Sequence, residues 1–201
     1  MQAIRVCARR DIDELCLIDI LATEQNRKPD FTKLREYASE ISCPLMVGGG
    51  IKTAVDAISA INNGADKILL RKGSSVHDVS SAIGSSSVAY NLVYDGIDDF
   101  MSLHRRILFL SQDVGAGEII LTDRKRDGTM SGYNLAHIKL ASEASKVPIV
   151  ANSGCGTPND MHQALVNGAD AVMAGSMFLF TETTPKQAAK FLHDKGHEVR
   201  V

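Results

Sequence analysis

The sequence predicts an α/β fold, a (β/α)8 barrel built of two half-barrels and incomplete at its start. Three observations predict it. Short apolar runs alternate with longer helix-like segments along all 201 residues. Each run is apolar throughout rather than at every second residue, which suits strands of a parallel sheet covered on both faces. The chain also repeats itself at an offset of 104 residues. Residues 12–19 (IDELCLID) are echoed by 116–123 (AGEIILTD), 43–50 (CPLMVGGG) by 147–154 (VPIVANSG), and Gly64-Ala65-Asp66 by Gly168-Ala169-Asp170. A spacing kept through three separate elements indicates two copies of one half-structure, and strand–helix alternation with such a repeat is the pattern of a TIM-barrel type.

The first strand is expected at 14–20. A helix over 31–41 follows Pro29-Asp30, a pair that supplies a start signal. The second strand, 45–47, runs into Gly48-Gly49-Gly50. A helix over 53–63 is stopped by Gly64, as its repeat partner over 157–167 is stopped by Gly168. Strands at 67–70, 88–93 and 118–122 come next, and then a helix over 134–145 that ends before Pro148. The last strands fall at 149–151 and 171–174, and a helix over 185–195 ends at Gly196. No linker rich in proline, glycine or serine divides the chain, so residues 1–201 are expected to form a single domain. A complete barrel has eight strands, whereas this pattern supplies seven. The repeat puts the partner of 88–93 ahead of Met1, so the first strand of a full barrel is expected to be absent and 14–20 to stand second. Open edges invite pairing with another chain. The outcomes expected are a distorted barrel, a strand taken from elsewhere, or assembly with a neighbour such as a second copy.

Charge is nearly balanced, with 22 basic and 24 acidic side chains, which gives no case for nucleic acid or a membrane as the main partner. The apolar runs are too short to span a bilayer, and residues 1–5 lack the apolar core of a signal peptide. The four cysteines (Cys7, Cys16, Cys43, Cys155) are scattered and read as buried free thiols in a reducing cytosol. No Cys-x-x-Cys or paired-histidine spacing suggests a metal, and no cofactor is called for. A cytoplasmic globular protein is expected.

In such barrels chemistry sits on the loops after the strands. Gly48-Gly49-Gly50 and Ser153-Gly154-Cys155-Gly156 lie there, symmetry-related. Glycines admit a ligand close to the backbone, and amides at the following helix start can bind phosphate. Two such loops, with Gly49, Gly50, Gly154 and Gly156, suggest an ancestral pair of phosphate sites; the plain alternative is a pair of tight turns. Gly175-Ser176, after the last strand and opening a short helix, completes the second site. Its first-half counterpart is more basic, and Arg71 and Lys72 either hold a phosphate by charge or are solvated loop residues. Asp127, before Gly128 on the loop after the strand at 118–122, is a candidate general acid or base or a ribose ligand, with Thr129 beside it. Asp-Gly is also an ordinary turn pair. Asp19, partner of Asp123 in the repeat, either faces the same rim or holds the next loop by backbone hydrogen bonds. Glu14, Lys67 and Glu118 lie at the opposite ends of the strands, as a stabilising charge group or as the lining of a passage.

Taken together, residues 12–20, 47–51, 64–67, 115–122, 126–133 and the ending 196–201 resemble the cyclase subunit of imidazole glycerol phosphate synthase, the HisF family. The resemblance covers the chain except about 71–112. Residues 27–31 and 175–178 look closer to the branch associated with surface-polysaccharide gene clusters. The resemblance implies a barrel that takes ammonia from a glutaminase partner (HisH-like) through its core. The ammonia reacts with a bisphosphorylated ribonucleotide to give imidazole glycerol phosphate and an aminoimidazole carboxamide ribonucleotide. It implies a catalytic role for Asp127 and an ammonia gate at Glu14, Lys67 and Glu118. It also marks departures. The second catalytic aspartate would precede Met1. The acid usual at the end of the fifth strand aligns with Val93, with Asp95 two positions on. An Asn-Thr pair is replaced by Arg71-Lys72, and a long flap is cut to 95–99.

A HisF-like lyase with weak cyclase activity or none is therefore expected. The alternatives are an accessory subunit that passes ammonia from a glutaminase toward surface-glycan amidation, and a non-catalytic association module.

Overall fold

The computed structural model describes residues 11–95, 100–112 and 115–200. Cys7, residues 96–99 of the shortened loop and the extreme ends of the chain lie outside the described residues. Seven strands are present among those described: β1 (Leu15–Ile18), β2 (Leu45–Gly48), β3 (Lys67–Leu70), β4 (Val88–Tyr94), β5 (Glu118–Asp123), β6 (Ile149–Asn152) and β7 (Ala171–Val172). They follow in chain order. Helices α1 (Ile20–Glu24), α2 (Phe31–Ala38), α3 (Ala54–Asn62), α4 (Val76–Ile83), α5 (Phe100–Gln112), α6 (Leu135–Ala144), α7 (Pro158–Val166), α8 (Ser176–Phe180) and α9 (Pro185–Asp194) lie between and after them. The fold is α/β, a TIM-barrel type with seven strands described.

Several details differ from the sequence reading, among them the strand at 171–174, which stops at Val172, and the helix over 31–41, which stops at Ala38. The first strand stops at Ile18, because Asp19 caps α1 by accepting from the Ala22 amide at 3.1 Å. Apolar Ile20 therefore starts a helix instead of ending a strand. Helices α4 and α5, unassigned from sequence, fill 76–83 and 100–112.

The chain divides into two compact units, Met1–Tyr90 with Gly115–Gly117, and Asn91–Val114 with Glu118–Val201. The division falls inside β4, ahead of the second copy of the repeat. In the first unit β1, β2 and β3 pair in parallel, Leu15 beside Leu45 and Val47 beside Ile68, and β3 pairs with the start of β4. Every residue of β2 is buried. Helix α3 buries Ala57 and Ala60, whose small side chains bring it close to the sheet. In the second unit β5 pairs in parallel with β6, and β6 with β7. Its core holds Ile119, Ile120, Leu121 and Ile149 of the strands, with Leu103, Ile107 and Ile138 of the helices.

The repeated Gly-Ala-Asp has a structural cause. Asp66 Oδ2 accepts from the Leu45 amide at 2.8 Å, and the Asp66 amide donates to the Leu45 carbonyl at 2.8 Å. Asp170 treats Ile149 identically, at 2.8 and 2.9 Å. Each aspartate ends one turn and starts the preceding strand, satisfying backbone groups that have no ladder partner there.

Candidate functional site

In the first unit the loops after β1 and β2 are locked together. The Asp19 amide donates to the Gly48 carbonyl at 3.0 Å. Gly49 and Gly50 have φ of +90° and +72°. A Cβ on Gly49 would collide with the Asp19 carbonyl, and one on Gly50 with the Arg27 carbonyl. These glycines exist to let the neighbouring loop pass. The Gly50 amide is taken by Thr23 Oγ1 at 3.3 Å. Asp19 is held by Arg27 through Nη1 at 2.6 Å and Nη2 at 3.0 Å. Those bonds hold its carboxyl below the usual range, against burial. Asp19 thus bonds the backbone of its own loop, and Arg27 adds a partner eight residues away.

The loops after β2 and β3 join as well, through Ser75 N to the Lys52 carbonyl at 2.9 Å and Ser74 Oγ to the Ile51 carbonyl at 2.9 Å. Arg71 and Lys72 stand exposed beside that junction, with no ion pair among the described residues. At the other end of the strands Lys67 Nζ reaches Glu14 Oε2 at 2.9 Å, both side chains about a quarter exposed. Glu118, the third member of that predicted group, opens β5 in the second unit.

The second unit repeats this construction with different contents. Buried Asp123 accepts from the Lys125 amide at 3.0 Å and from Asn134 Nδ2 at 3.1 Å, with Arg126 Nε at 3.8 Å. Arg126 Nη1 also donates to the Gly132 carbonyl at 3.0 Å. The loop is braced from inside, and Asp127 projects from it, exposed and with no hydrogen bond or ion pair among the described residues. Thr129 Oγ1 is engaged within the loop, bonded to the Arg126 carbonyl at 2.7 Å and to Ser131 Oγ at 2.7 Å.

This loop lies against the next one. The Gly132 amide donates to the Gly154 carbonyl at 2.7 Å. A Cβ on Gly154 would meet the Gly132 carbonyl, and one on Gly156 the Met130 carbonyl. Gly156 N donates to Asp160 Oδ2 at 3.1 Å. Tyr133 OH reaches the Met173 carbonyl at 2.9 Å, and Cys155 Sγ lies 3.9 Å from Met177 Sδ. These contacts put Asp127, Thr129, Gly154, Gly156, Gly175 and Ser176 on one rim. Burial pushes the Cys155 thiol up to about 11. Gly175 precedes α8 with no side-chain cap and open space around its Cα.

Two features of this unit escaped the sequence reading. Asn91, Thr122 and Asn152, on β4, β5 and β6, form a hydrogen-bonded row: Thr122 Oγ1 to Asn91 Oδ1 at 2.6 Å, and Asn152 Nδ2 to Thr122 Oγ1 at 3.0 Å. The available signal was polar residues inside otherwise apolar strands. Ser153, partner of Gly49 in the repeat, has φ +80°, is 5% exposed, and leaves its hydroxyl without a partner.

The chain matches the model of a family described as histidine biosynthesis protein over residues 1–98 and 101–184. It is 33% identical over 210 residues to the imidazole glycerol phosphate synthase subunit HisF of Metallosphaera sedula, covering 94% of this chain and 82% of that one. The subunit HisF of Pyrobaculum aerophilum is 31% identical, with 94% and 81% covered. That of Dictyoglomus thermophilum is 32% identical, with 96% and 84% covered.

Proposed function

The chain belongs to the HisF family of histidine biosynthesis proteins, and from there we propose that it is a cyclase-type subunit, one barrel domain, acting on a small phosphorylated ribonucleotide with Asp127 as the acid–base group. The observation that carries this reading is the Asp127 carboxylate, unspent at the tip of a loop whose other polar groups brace one another. A group that moves protons must be free to meet the substrate and fixed in place. The second-half rim takes one phosphate at Gly154, Gly175 and Ser176 through backbone amides and a hydroxyl, while Gly156, whose amide is taken by Asp160, shapes the turn. In the first half Thr23 already occupies the Gly50 amide, which leaves the charges of Arg71 and Lys72 as that half's own candidate phosphate holders.

Ammonia comes from a glutaminase partner, with Glu14 and Lys67 of the first unit as its gate. Catalysis is weak: Val93 stands where the resemblance puts the acid usual at the end of the fifth strand, and loss of a positioned acid–base group lowers rates by roughly 10²–10⁴. The Lys67–Glu14 pair also favours a second reading, an accessory subunit that conducts ammonia to another enzyme, because such a pair gates a passage whether or not this chain turns over.

Ammonia-dependent turnover of the bisphosphorylated ribonucleotide by the purified chain is the test. Slow turnover that falls a further 10²-fold or so in Asp127→Asn is expected. Equal rates in both proteins remove Asp127 from the reaction. No turnover, with stimulation of a co-purified glutaminase, transfers the case to the second reading.

A further inference from the structure

The row Asn91–Thr122–Asn152 has no counterpart in the first half. Its repeat positions there are Ile18 for Thr122 and Gly48 for Asn152, and neither can make such a bond. Thr122 and Asn152 are direct neighbours in the β5–β6 register, at the ends of their strands where barrels bind ligands. The row therefore belongs to the second half's own chemistry.

Proton counting shows what it offers. The Thr122 hydroxyl has one hydrogen and gives it to Asn91 Oδ1, so it must accept from Asn152 Nδ2. That leaves the Asn91 amide NH2 unspent at one end and the Asn152 carbonyl unspent at the other. Reversing both amides only exchanges the two ends. Neither asparagine makes another side-chain bond among the described residues, and the buried Ser153 hydroxyl next to Asn152 is also without a partner. No charge belongs to the row.

We infer that Asn91, Thr122 and Asn152 form an uncharged recognition row for a carboxamide-bearing ring, selecting a neutral amide over a carboxylate. A carboxamide both donates and accepts, and so answers both ends. A carboxylate only accepts, so it leaves the carbonyl end unmet and brings a charge that no member of the row balances. The row reaches across three strands, about 4.8 Å apart, which suits a flat substituted ring better than a compact anion. This rests on the ribonucleotide reading above, since the ring is the part of that ligand left over once its phosphates are held on the rim.

The test is calorimetric binding of aminoimidazole carboxamide ribonucleotide and of its carboxylate counterpart, which differ only in that group. Wild-type protein is expected to prefer the carboxamide by about ten-fold or more. Thr122→Val, which keeps the shape and removes the hydroxyl, should bring the ratio near one with an unchanged circular dichroism spectrum. If that variant does not fold, half-buried Asn152→Ser serves in its place. A wild-type ratio near one overturns the inference and leaves the ribonucleotide reading standing, as does a preference that persists in the folded variant. Binding of neither compound overturns both.

Discussion

Arg27 grips Asp19 with both terminal nitrogens, at 2.6 and 3.0 Å, and so closes the loop after β1 onto the strand that precedes it. The bidentate geometry is the strong form of an ion pair. It holds the Asp19 carboxyl below its usual value. A carboxyl lowered on folding stabilises the protein above its unfolded pKa, near 3.9, and that contribution is lost as pH falls through the lowered folded value. Asp19→Asn keeps the cap on α1 and removes the charge. Its urea midpoint should lie below wild type at pH 7, with the gap narrowing toward pH 3. A gap of constant size at both values would show that the charge contributes nothing.

The two halves share a capping device, and one copy carries more. Asp160 Oδ2 accepts from Gly156 N, Thr157 N and Thr157 Oγ1. Asp56, its repeat partner, accepts from Lys52 N, Thr53 N and Thr53 Oγ1, and is also met by Lys28 Nζ at 2.8 Å. Asp160→Ala should cost about 1–2 kcal/mol and Asp56→Ala about 2–3 kcal/mol. Equilibrium urea unfolding of both variants ranks them, and the reverse order would refute the role given to Lys28.

Ser153 stands in a backbone conformation that suits glycine, and its repeat partner is Gly49. Ser153→Gly should stabilise by about 1 kcal/mol, because it relieves the left-handed strain. That corresponds to roughly 2–4 °C in Tm for a chain of this size. A lower Tm in differential scanning calorimetry contradicts the assignment of strain.

Cys155 holds its proton far above neutrality and is buried, whereas Cys16 and Cys43 are partly exposed. Thiolate is the reactive form. Iodoacetamide at pH 8 should therefore label the peptides with Cys16 and Cys43 well before the one with Cys155, as read by mass spectrometry. Early labelling of Cys155 contradicts its burial.

Much of the fold was legible because the repeat carries its own structural reasons. Gly64-Ala65-Asp66 and Gly168-Ala169-Asp170 could be matched by eye, and each aspartate makes the same two strand-starting bonds. Thr53 and Thr157, three residues before an aspartate, likewise mark real helix starts. What stayed hidden is contact across sequence distance. Nothing near Asp19 announces Arg27, and apolar Ile20 gives no sign that Asp19 has begun a helix. At the candidate site the strand pattern gave the loops after the strands, but it did not give the row from Asn91 to Asn152. Its three members lie 31 and 30 residues apart and meet only once their strands are set side by side.

Gly154 and Gly156 have no room for a side chain because Gly132 and Met130 already stand there, and Gly49 and Gly50 are confined in the same way by Asp19 and Arg27. Within each unit, then, a glycine turn and the loop that covers it form one inherited part in two pieces of sequence. Grafting the 126–132 segment from a relative without its own 153–156 turn should produce misfit, whereas the two transplanted together should be accepted. Diversification of ligand specificity in this chain would have to proceed by loop pairs, with single loops constrained by their neighbours.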